Sequence, residues 1–510
     1  MEAGNELVVA STNALHSGRV HVVGLGGSGV RGIVPLLLAR GATVSGSDMD
    51  DSPVLAKFRR DGVECWVGHS DRNVDPKTDL MLISAAVGRD NPEVRAAEQR
   101  SIRVVKYSQC LGLLMSEKQG IAVSGTHGKT TTTAMVSYVL AQNGMDPSYI
   151  VGGEHPSLGG GSRSGKGNHF VAEACEFDRS FLNLRPKAIA VTNVDEDHLD
   201  YFSSMQEIQD AFREFVELLP ADGCLVYNKD DPNSQFLPIS TAARSQSFSL
   251  RPGKGDWWVE DVTWTGGGSR FTLVGPGLRT RVRLRVPGIH NVKNALACVA
   301  LCRWAGVPLA GIVKALASFQ AVRRRFDILL NDPVTVVDDY AHHPTEVEAV
   351  LKAARQAYPN KRIVSVFQPH QYSRLRRMLE GFADALTLAD DVIVTRVFRA
   401  RDTEEDVRAV SASELAEAVR LRGKNCLYAD SFSRALGQLE GMVESGAVVL
   451  FLGAGDITKL GQEYADVLTG SASARLREGT YAAKEPGKKV HVDPIDRLRT
   501  APFGRQAVGS

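Results

Sequence analysis

The stretch Ile121-Ala-Val-Ser-Gly-Thr-His-Gly-Lys-Thr-Thr-Thr-Thr133 constrains this chain more than any other. Ile121 to Val123 is a short apolar run that reads as a buried strand. Gly125 and Gly128 interrupt it, and Lys129-Thr130 open an apolar helical pattern at Ala134, Met135, Val136, Val139 and Leu140. Strand, glycine loop, Lys-Thr and helix together suit the gripping of a polyphosphate. Free backbone N–H groups and the helix N-terminus face the anion, the lysine supplies a point charge, and the threonine hydroxyl holds Mg²⁺. Val123 stands where the general pattern has its first glycine, so the match is to the shorter Gly-Thr-x-Gly-Lys-Thr form, with Gly125 making the turn. The bland alternative is a glycine turn between a strand and a helix.

On either side of this loop, strands alternate with helical segments, which implies mostly parallel sheets. The 510 residues suit three domains of ~150 residues. In the first, taken as residues 1–118, the strand Val20–Val23 runs into Gly24-x-Gly26-x-x-Gly29 and an apolar helix from Ile33 to Leu38. The next strand ends at Asp48, nineteen residues beyond Gly29. This is a dinucleotide-binding fingerprint and predicts a Rossmann-like fold. Gly27 adds a fourth glycine, so the backbone can approach a diphosphate closely. Gly120 reads as the linker onward. The central domain, 119–320, is expected to be like a P-loop ATPase, with a mostly parallel sheet and a small antiparallel patch in the Trp-containing region 253–288. Its glycine-rich stretch from Gly152 to Gly167 reads as a mobile loop. The third domain, 321–465, repeats strand and helix and reads as a Rossmann-like doubly wound sheet. Residues 466–510 read as a disordered tail; 471–510 carry eight Lys/Arg against four Asp/Glu, a net of +4.

Composition narrows the function class. Lys+Arg 60 against Asp+Glu 59 leaves no net field to draw nucleic acid or a membrane surface. No apolar run approaches a membrane span, and Met1 to Arg19 lacks the pattern of a signal peptide. Seven scattered cysteines with no Cys-x-x-Cys pair suggest neither a disulfide framework nor a zinc site. Cys298 and Cys302 lie in an apolar helical run and read as core thiols. A cytoplasmic protein is expected.

Carboxylates and histidines gather at predicted strand ends, where ligands bind in open α/β sheets. Phe170-Val-Ala-Glu173-Ala-Cys-Glu176-Phe-Asp178 ends one strand, and Ala188–Asn193 leads into Val194-Asp195-Glu-Asp197-His198-Leu-Asp200. Each of Glu173 and His198 follows a buried run aimed at the same sheet edge, so with Thr130 they are the metal candidates. Asp195, Glu196 and Asp200 read as solvated loop charges, with Asp197 open. The polar first turn His290, Asn291 and Asn294 suits a base or ribose, with helix capping by Asn291 as the structural alternative. Further on, strands deliver Asp338-Asp339-Tyr340-Ala341-His342-His343-Pro344 and Gln368-Pro-His370-Gln371-Tyr372-Ser373-Arg374-Leu-Arg376-Arg377 to loops. Arginine forks there suit carboxylate or phosphate. Adjacent histidines rarely face one ion, so His342 and His343 read as substrate-loop residues.

Six ordered motifs carry a family resemblance: Gly24–Gly29, Ser124–Thr130, Glu173–Asp178, Thr192–His198, His290–Asn294 and Asp338–Pro344. From about residue 18 to 465 the chain resembles the Mur ligases, and within them the alanine-adding branch. The resemblance implies a first domain for the UDP sugar, a central one for ATP and a third for the amino acid. It implies that the lactyl carboxylate of UDP-N-acetylmuramate takes the γ-phosphoryl group of ATP, and that the amine of L-alanine then displaces phosphate. Such a transfer needs charge neutralisation and positioning rather than a protein nucleophile.

By resemblance, Gly24, Gly26, Gly27, Ser28, Gly29 and Asp48 hold the UDP sugar. Gly125, Thr126, His127, Gly128, Lys129, Thr130 and Thr131 hold the phosphates of ATP, His290, Asn291 and Asn294 its adenine, and Arg325 and Asp339 the rest. Tyr340, His342, His343, His370 and Arg374 line the region of alanine and acyl phosphate. Lys129, His198, His343 and Arg374 are the catalytic candidates. Many members have arginine where Gln371 stands, so the grip on alanine is expected to lean on Arg374 or Arg376. No lysine lies between His198 and Asn228, so the carbamylated lysine of several sister ligases has no counterpart. A monomer or weak homodimer is expected. Alternatives are a recycling ligase that adds a tripeptide to the same UDP sugar, a nicotinamide oxidoreductase built on Gly24–Gly29, and a non-catalytic nucleotide-binding regulator.

Overall fold

A computed structural model of the chain describes residues 14–470 apart from 28, 85 and 198–200. Ser28, His198 and the tail from 471, all singled out above, lie outside the described residues.

Three sheets follow one another along the chain. The first comprises β1 (Arg19–Val23), β2 (Thr43–Asp48), β3 (Glu64–Val67), β4 (Leu80–Ile83) and β5 (Arg103–Lys106), ordered β3-β2-β1-β4-β5 with every pair parallel. The order reverses at β1, and the glycine loop that leads into helix α1 (Val30–Ala39) leaves the carboxyl end of that strand, the place where such sheets bind ligands.

The central sheet has ten strands. They are β6 (Gln119–Ser124), β7 (Ser148–His155), β8 (Gly160–Arg163), β9 (His169–Glu173), β10 (Ala188–Val191), β11 (Cys224–Asn228), β12 (Arg244–Ser249), β13 (Trp257–Thr265), β14 (Gly268–Gly275) and β15 (Leu278–Leu284). Their order is β15-β14-β13-β12-β11-β10-β6-β9-β7-β8. Strands β13, β14 and β15 form the expected antiparallel patch, where Trp257 is a core residue, only 3% exposed. β6 is buried on both faces, as central parallel strands are. Its Ile121 and Val123 pack with α2 (Lys129–Gln142) and α3 (Ile289–Trp304), and its Ala122 packs into the cluster of Phe181, Phe212 and Phe215 on the other side. Residues Thr130 to Leu140 of α2 are all buried, so this helix carries no polar face. Cys298 and Cys302 lie in the same core, Sγ to Sγ 3.8 Å.

The linker expected at Gly120 and the mobile loop expected over Gly152–Gly167 are both built into the central sheet. Gly120 lies inside β6, where a Cβ would meet Met115 Cγ at 2.4 Å and the Arg185 carbonyl at 2.9 Å. The Gly152–Gly167 stretch is no loose loop: β7 and β8 pair antiparallel across it, and the Lys118 ammonium ties it down through the carbonyls of Gly165 (2.6 Å) and Gly167 (2.8 Å). Gly120, Gly152, Gly165 and Gly167 serve close packing, whereas Gly159 and Gly160 supply positive φ at a turn; composition alone does not distinguish either from flexibility.

The third sheet comprises β16 (Asp327–Leu330), β17 (Thr335–Asp339), β18 (Ile363–Phe367), β19 (Asp391–Thr395), β20 (Asn425–Ala429) and β21 (Val448–Leu452), ordered β16-β17-β21-β18-β19-β20. It is parallel except for the edge strand β16. Among the described residues no helix is long and apolar enough to cross a membrane.

Candidate active site

The phosphate loop turns at two glycines with positive φ, Gly125 (+122°) and Gly128 (+84°). Space as well as backbone demands them. A Cβ on Gly125 would sit 2.2 Å from Thr192 Oγ1, and one on Gly128 would sit 2.6 Å from Asn294 Oδ1. The loop after β10 fixes this turn from one side. The His127 N–H donates to Asn193 Oδ1 (2.9 Å), and the His127 carbonyl accepts from Thr192 Oγ1 (2.5 Å) and Asn193 Nδ2 (3.0 Å). Thr126 Oγ1 accepts the Asp195 N–H at 2.8 Å.

Lys129 donates to the carbonyls of Gly125 (2.6 Å) and Thr126 (3.0 Å) and to both oxygens of Glu176 (3.0 and 3.1 Å). Burial works against its charge, but Glu176, with Cys175 and Glu173 behind it, more than offsets that and holds its pKa above the usual lysine value. Thr130 Oγ1 lies 2.9 and 3.2 Å from the two carboxylate oxygens of Glu173, which also accepts the Gly152 N–H at 2.9 Å. A hydroxyl and a carboxylate side by side at a helix N-terminus form a hard oxygen donor set that fits Mg²⁺. Thr130 and Glu173 are thus brought together as expected.

A cavity of about 530 Å³ opens beside this loop, lined by Gly128, Thr130, Thr131, Asn294, Arg325 and Asp339 among others. Its far wall is α4 (Pro344–Ala357), contributed by the third domain. His290, Asn291 and Asn294 all line it. Asn291 Nδ2 donates to the Pro287 carbonyl (2.6 Å) and Asn291 Oδ1 accepts from Asn294 Nδ2 (3.2 Å). The amide is thereby used within its own turn; Gly288, not Asn291, is the helix N-cap. Burial, with Arg325 and Lys293 nearby, pushes His290 down to about 4, so its ring is neutral near pH 7. Asp339 accepts the N–H groups of Phe326 (2.7 Å) and Ala341 (2.8 Å). Burial pushes its carboxyl up to about 7, against the pull of Arg325 and those two donors.

The third domain meets the same place. The guanidinium groups of Arg324 and Arg325 lie 4.8 and 5.1 Å from the centroid of the Tyr340 ring. The two adjacent histidines diverge: His342 Nδ1 is 3.0 Å from the Tyr340 carbonyl, and His343 Nε2 is 3.1 Å from the Glu196 carbonyl. His370 stacks on Phe398 with centroids 5.5 Å apart, and burial, reinforced by His342 and Arg374, pushes it down to about 3. Arg374 Nη2 reaches Asp197 Oδ1 at 2.8 Å, with both side chains 10% exposed. Arg376, the other cation expected to grip a carboxylate, is exposed on its helix and is not drawn into this cluster. Gln371 holds a positive φ of +69° and is buried, its N–H bonded to the Phe398 carbonyl at 2.9 Å.

In the first domain, Asp48 Oδ2 accepts the Gly26 N–H at 2.7 Å, so the acid at the end of β2 holds the glycine loop itself. The N–H groups of Gly24 and Leu25 go to the Ser47 carbonyl, and that of Gly27 to the Gly24 carbonyl. The loop therefore spends these donors internally, and its carbonyls at Gly27 and Gly29 in turn accept the N–H groups of Arg31 and Gly32 in the first turn of α1. At Gly29 a Cβ would come 3.1 Å from the Tyr107 ring, a tight contact.

Four acids were not among the expected site residues. Asp195, read as a solvated charge, instead lies 3.5 Å from His127 Nε2 and accepts from Thr345 Oγ1 at 3.2 Å. Asp197 pairs with Arg374, Glu176 with Lys129, and Glu346 lies 3.3 Å from His127 Nδ1. Glu346 did carry a signal, a glutamate in the first turn after His343-Pro344, but its reach into another domain is not encoded locally.

Three family models cover the chain in order: "Mur ligase family, catalytic domain" over residues 19–119, "Mur ligase middle domain" over 123–302 and "Mur ligase, glutamate ligase domain" over 324–455. A UDP-N-acetylmuramate–L-alanine ligase of Sulfurihydrogenibium sp. (strain YO3AOP1) is 39% identical over 451 residues, 88% of this chain and 98% of that protein. One from Acetivibrio thermocellus is 38% identical over 450 residues, 87% of this chain and 95% of its own. The crystal structure of UDP-N-acetylmuramate-alanine ligase from Thermotoga maritima superposes with TM-score 0.75 at 30% identity, covering 89% of this chain and all of that one (100%). A murein peptide ligase from Psychrobacter arcticus shares the fold at TM-score 0.65 and 22% identity, over 89% and 99% of the two chains. With three domain models in sequence and relatives aligned end to end, the chain belongs to the Mur ligase family.

Proposed function

We propose that the chain is an ATP-dependent ligase that joins L-alanine to the lactyl carboxylate of UDP-N-acetylmuramate, releasing ADP and phosphate in peptidoglycan precursor synthesis. One observation carries the reading. The phosphate loop with Lys129 and Thr130 opens on a cavity of about 530 Å³ closed by a helix of the third domain, in a chain 39% identical to an alanine ligase over 98% of its length.

The chemistry follows from where charge sits. The lactyl carboxylate attacks the γ-phosphorus, and two anions must be brought together. Lys129 is the cation for the β- and γ-phosphates, released from Glu176 as they arrive. Bound Mg²⁺, held by Thr130 and Glu173 and with His198 as the expected further ligand, would neutralise phosphate charge. Gly125, Thr126, His127, Gly128 and Thr131 complete the cradle, His290, Asn291 and Asn294 face the adenine, and Arg325 and Asp339 close the pocket. The acyl phosphate then meets the amine of alanine. Tyr340, His342, His343, His370 and Arg374 surround this step, and Arg374, not the exposed Arg376, is the cation for the alanine carboxylate or the developing tetrahedral oxyanion. Gly24, Gly26, Gly27, Ser28, Gly29 and Asp48 position the UDP sugar. The protein works in the cytoplasm as a monomer or weak homodimer.

The test is phosphate release from ATP and Mg²⁺ with UDP-N-acetylmuramate plus either alanine or the tripeptide. Alanine-dependent release is expected. No release with any small amino acid, or a clear preference for the tripeptide, overturns the assignment. Lys129→Ala should abolish ligation and leave UDP-sugar binding intact.

A further inference from the structure

One carboxylate touches both halves of the candidate site. Glu346 is the third residue of α4. A glutamate there commonly turns back to the backbone N–H of its own N-cap residue. Here one carboxylate oxygen accepts the N–H of His342, one residue earlier, at 3.1 Å and lies 3.2 Å from His342 Nδ1. The other oxygen faces His127 Nδ1 in the phosphate loop, 3.3 Å away, and Arg325 Nη1 at 3.9 Å. On the opposite edge of the same imidazole, Asp195 Oδ2 lies 3.5 Å from Nε2. The phosphate-loop histidine is thus held between two carboxylates, one from its own domain and one from the third.

This arrangement exceeds what helix capping requires. Glu346 is 219 positions from His127 in sequence, so the contact exists only while the third domain is docked. The Glu346 side chain is 13% exposed and that of His127 is 15% exposed, so solvent and salt screen the contact poorly. Its other partner, His342, sits in the loop assigned above to the amine. Rings of His127 and His343 also approach, with centroids 4.9 Å apart.

We propose that Glu346 is a positioning residue that couples the phosphate loop to the amino-acid loop: docking of the third domain sets His127 and His342 in register through this one carboxylate. The proposal rests on the ligase reading above. In the open arrangement His127 keeps only Asp195, and the loop it anchors is held on one side. In the docked arrangement the loop is held on both sides as the amine site is completed, so acyl phosphate formation is tied to readiness for the amine.

The test is a double-mutant cycle in the full-length protein with H127Q, E346Q and the double variant, scored by alanine-dependent phosphate release and by binding of a non-hydrolysable ATP analogue. E346Q is expected to lower kcat tenfold or more, raise the KM for alanine, and weaken analogue binding, while the protein still melts cooperatively at a somewhat lower temperature. The double variant should be no worse than the poorer single one, a coupling of tenfold or more. Single losses that simply multiply overturn the proposal, as does an E346Q protein with unchanged kcat and KM. E346D keeps the charge and leaves the His343 cap of α4 in place but retracts the carboxylate; it should reproduce the kinetic loss, and wild-type kinetics in E346D would equally overturn the coupling. A wild-type protein without ATP-dependent ligation would fail the ligase reading itself, whereas an active wild type with independent effects sinks this inference alone.

Discussion

The imidazole of His127 is expected to stay protonated far above the ordinary histidine range. Carboxylate oxygens lie 3.3 and 3.5 Å from its two nitrogens. At an effective dielectric of about 20, each attraction at that distance is ~5 kcal/mol. Burial, the largest single influence, takes much of this back, and the nearby carboxylates of Asp195 and Glu346 leave the pKa raised from 6.5 to about 9. That shift is worth roughly 3 kcal/mol. The sign follows from linkage. The folded pKa lies above the unfolded one, so the contribution is complete below pH 6.5 and disappears as pH rises through about 9. Long-range ¹⁵N–¹H spectra of histidine-labelled protein would follow the titration, with the His127 signal assigned by its loss in H127Q. The stability advantage of wild type over H127Q should shrink by about 3 kcal/mol between pH 6.5 and pH 9. An imidazole that titrates at or below the ordinary value would refute the two-carboxylate account.

Other perturbations separate the domains. Gly125→Ala places a Cβ 2.2 Å from Thr192 Oγ1 at a φ of +122°, so binding of an ATP analogue should weaken by ~1–3 kcal/mol in calorimetry while UDP-sugar binding holds. Asp48→Ala removes the carboxylate that receives the Gly26 N–H, a bond of ~1.5–3 kcal/mol, and should raise the KM for UDP-N-acetylmuramate without changing that for ATP. Phe181→Ala opens a cavity beside Phe215, whose ring stacks on it at 4.3 Å; the loss of ~3–5 kcal/mol should appear as a lower denaturant midpoint.

Much of this molecule was legible from its residues. A strand, two glycines and Lys129-Thr130 dictate a phosphate loop because only that backbone presents several donors to one anion. The alternation of apolar runs with helical periods dictates three α/β units, and the glycines from Gly24 to Gly29 place a loop at the carboxyl end of β1, the central strand of the first sheet. Glycine runs were misread at Gly120 and Gly152–Gly167, since a missing Cβ permits tight packing as readily as motion.

Charge partners were not legible. Asp195 and Glu196 look alike in the sequence, both acids in a polar loop, yet one faces His127 while the other is exposed. Arg374 and Arg376 are two positions apart, and helical geometry sends them in different directions. The sequence by itself determined which segments become strands, helices and phosphate loop, because periodicity and turn chemistry act over a few neighbouring residues. Tertiary structure alone decided that Glu346 meets His127 and that Arg374 meets Asp197, because those contacts join residues 219 and 177 positions apart, and only the packing of whole domains brings such pairs within hydrogen-bonding reach.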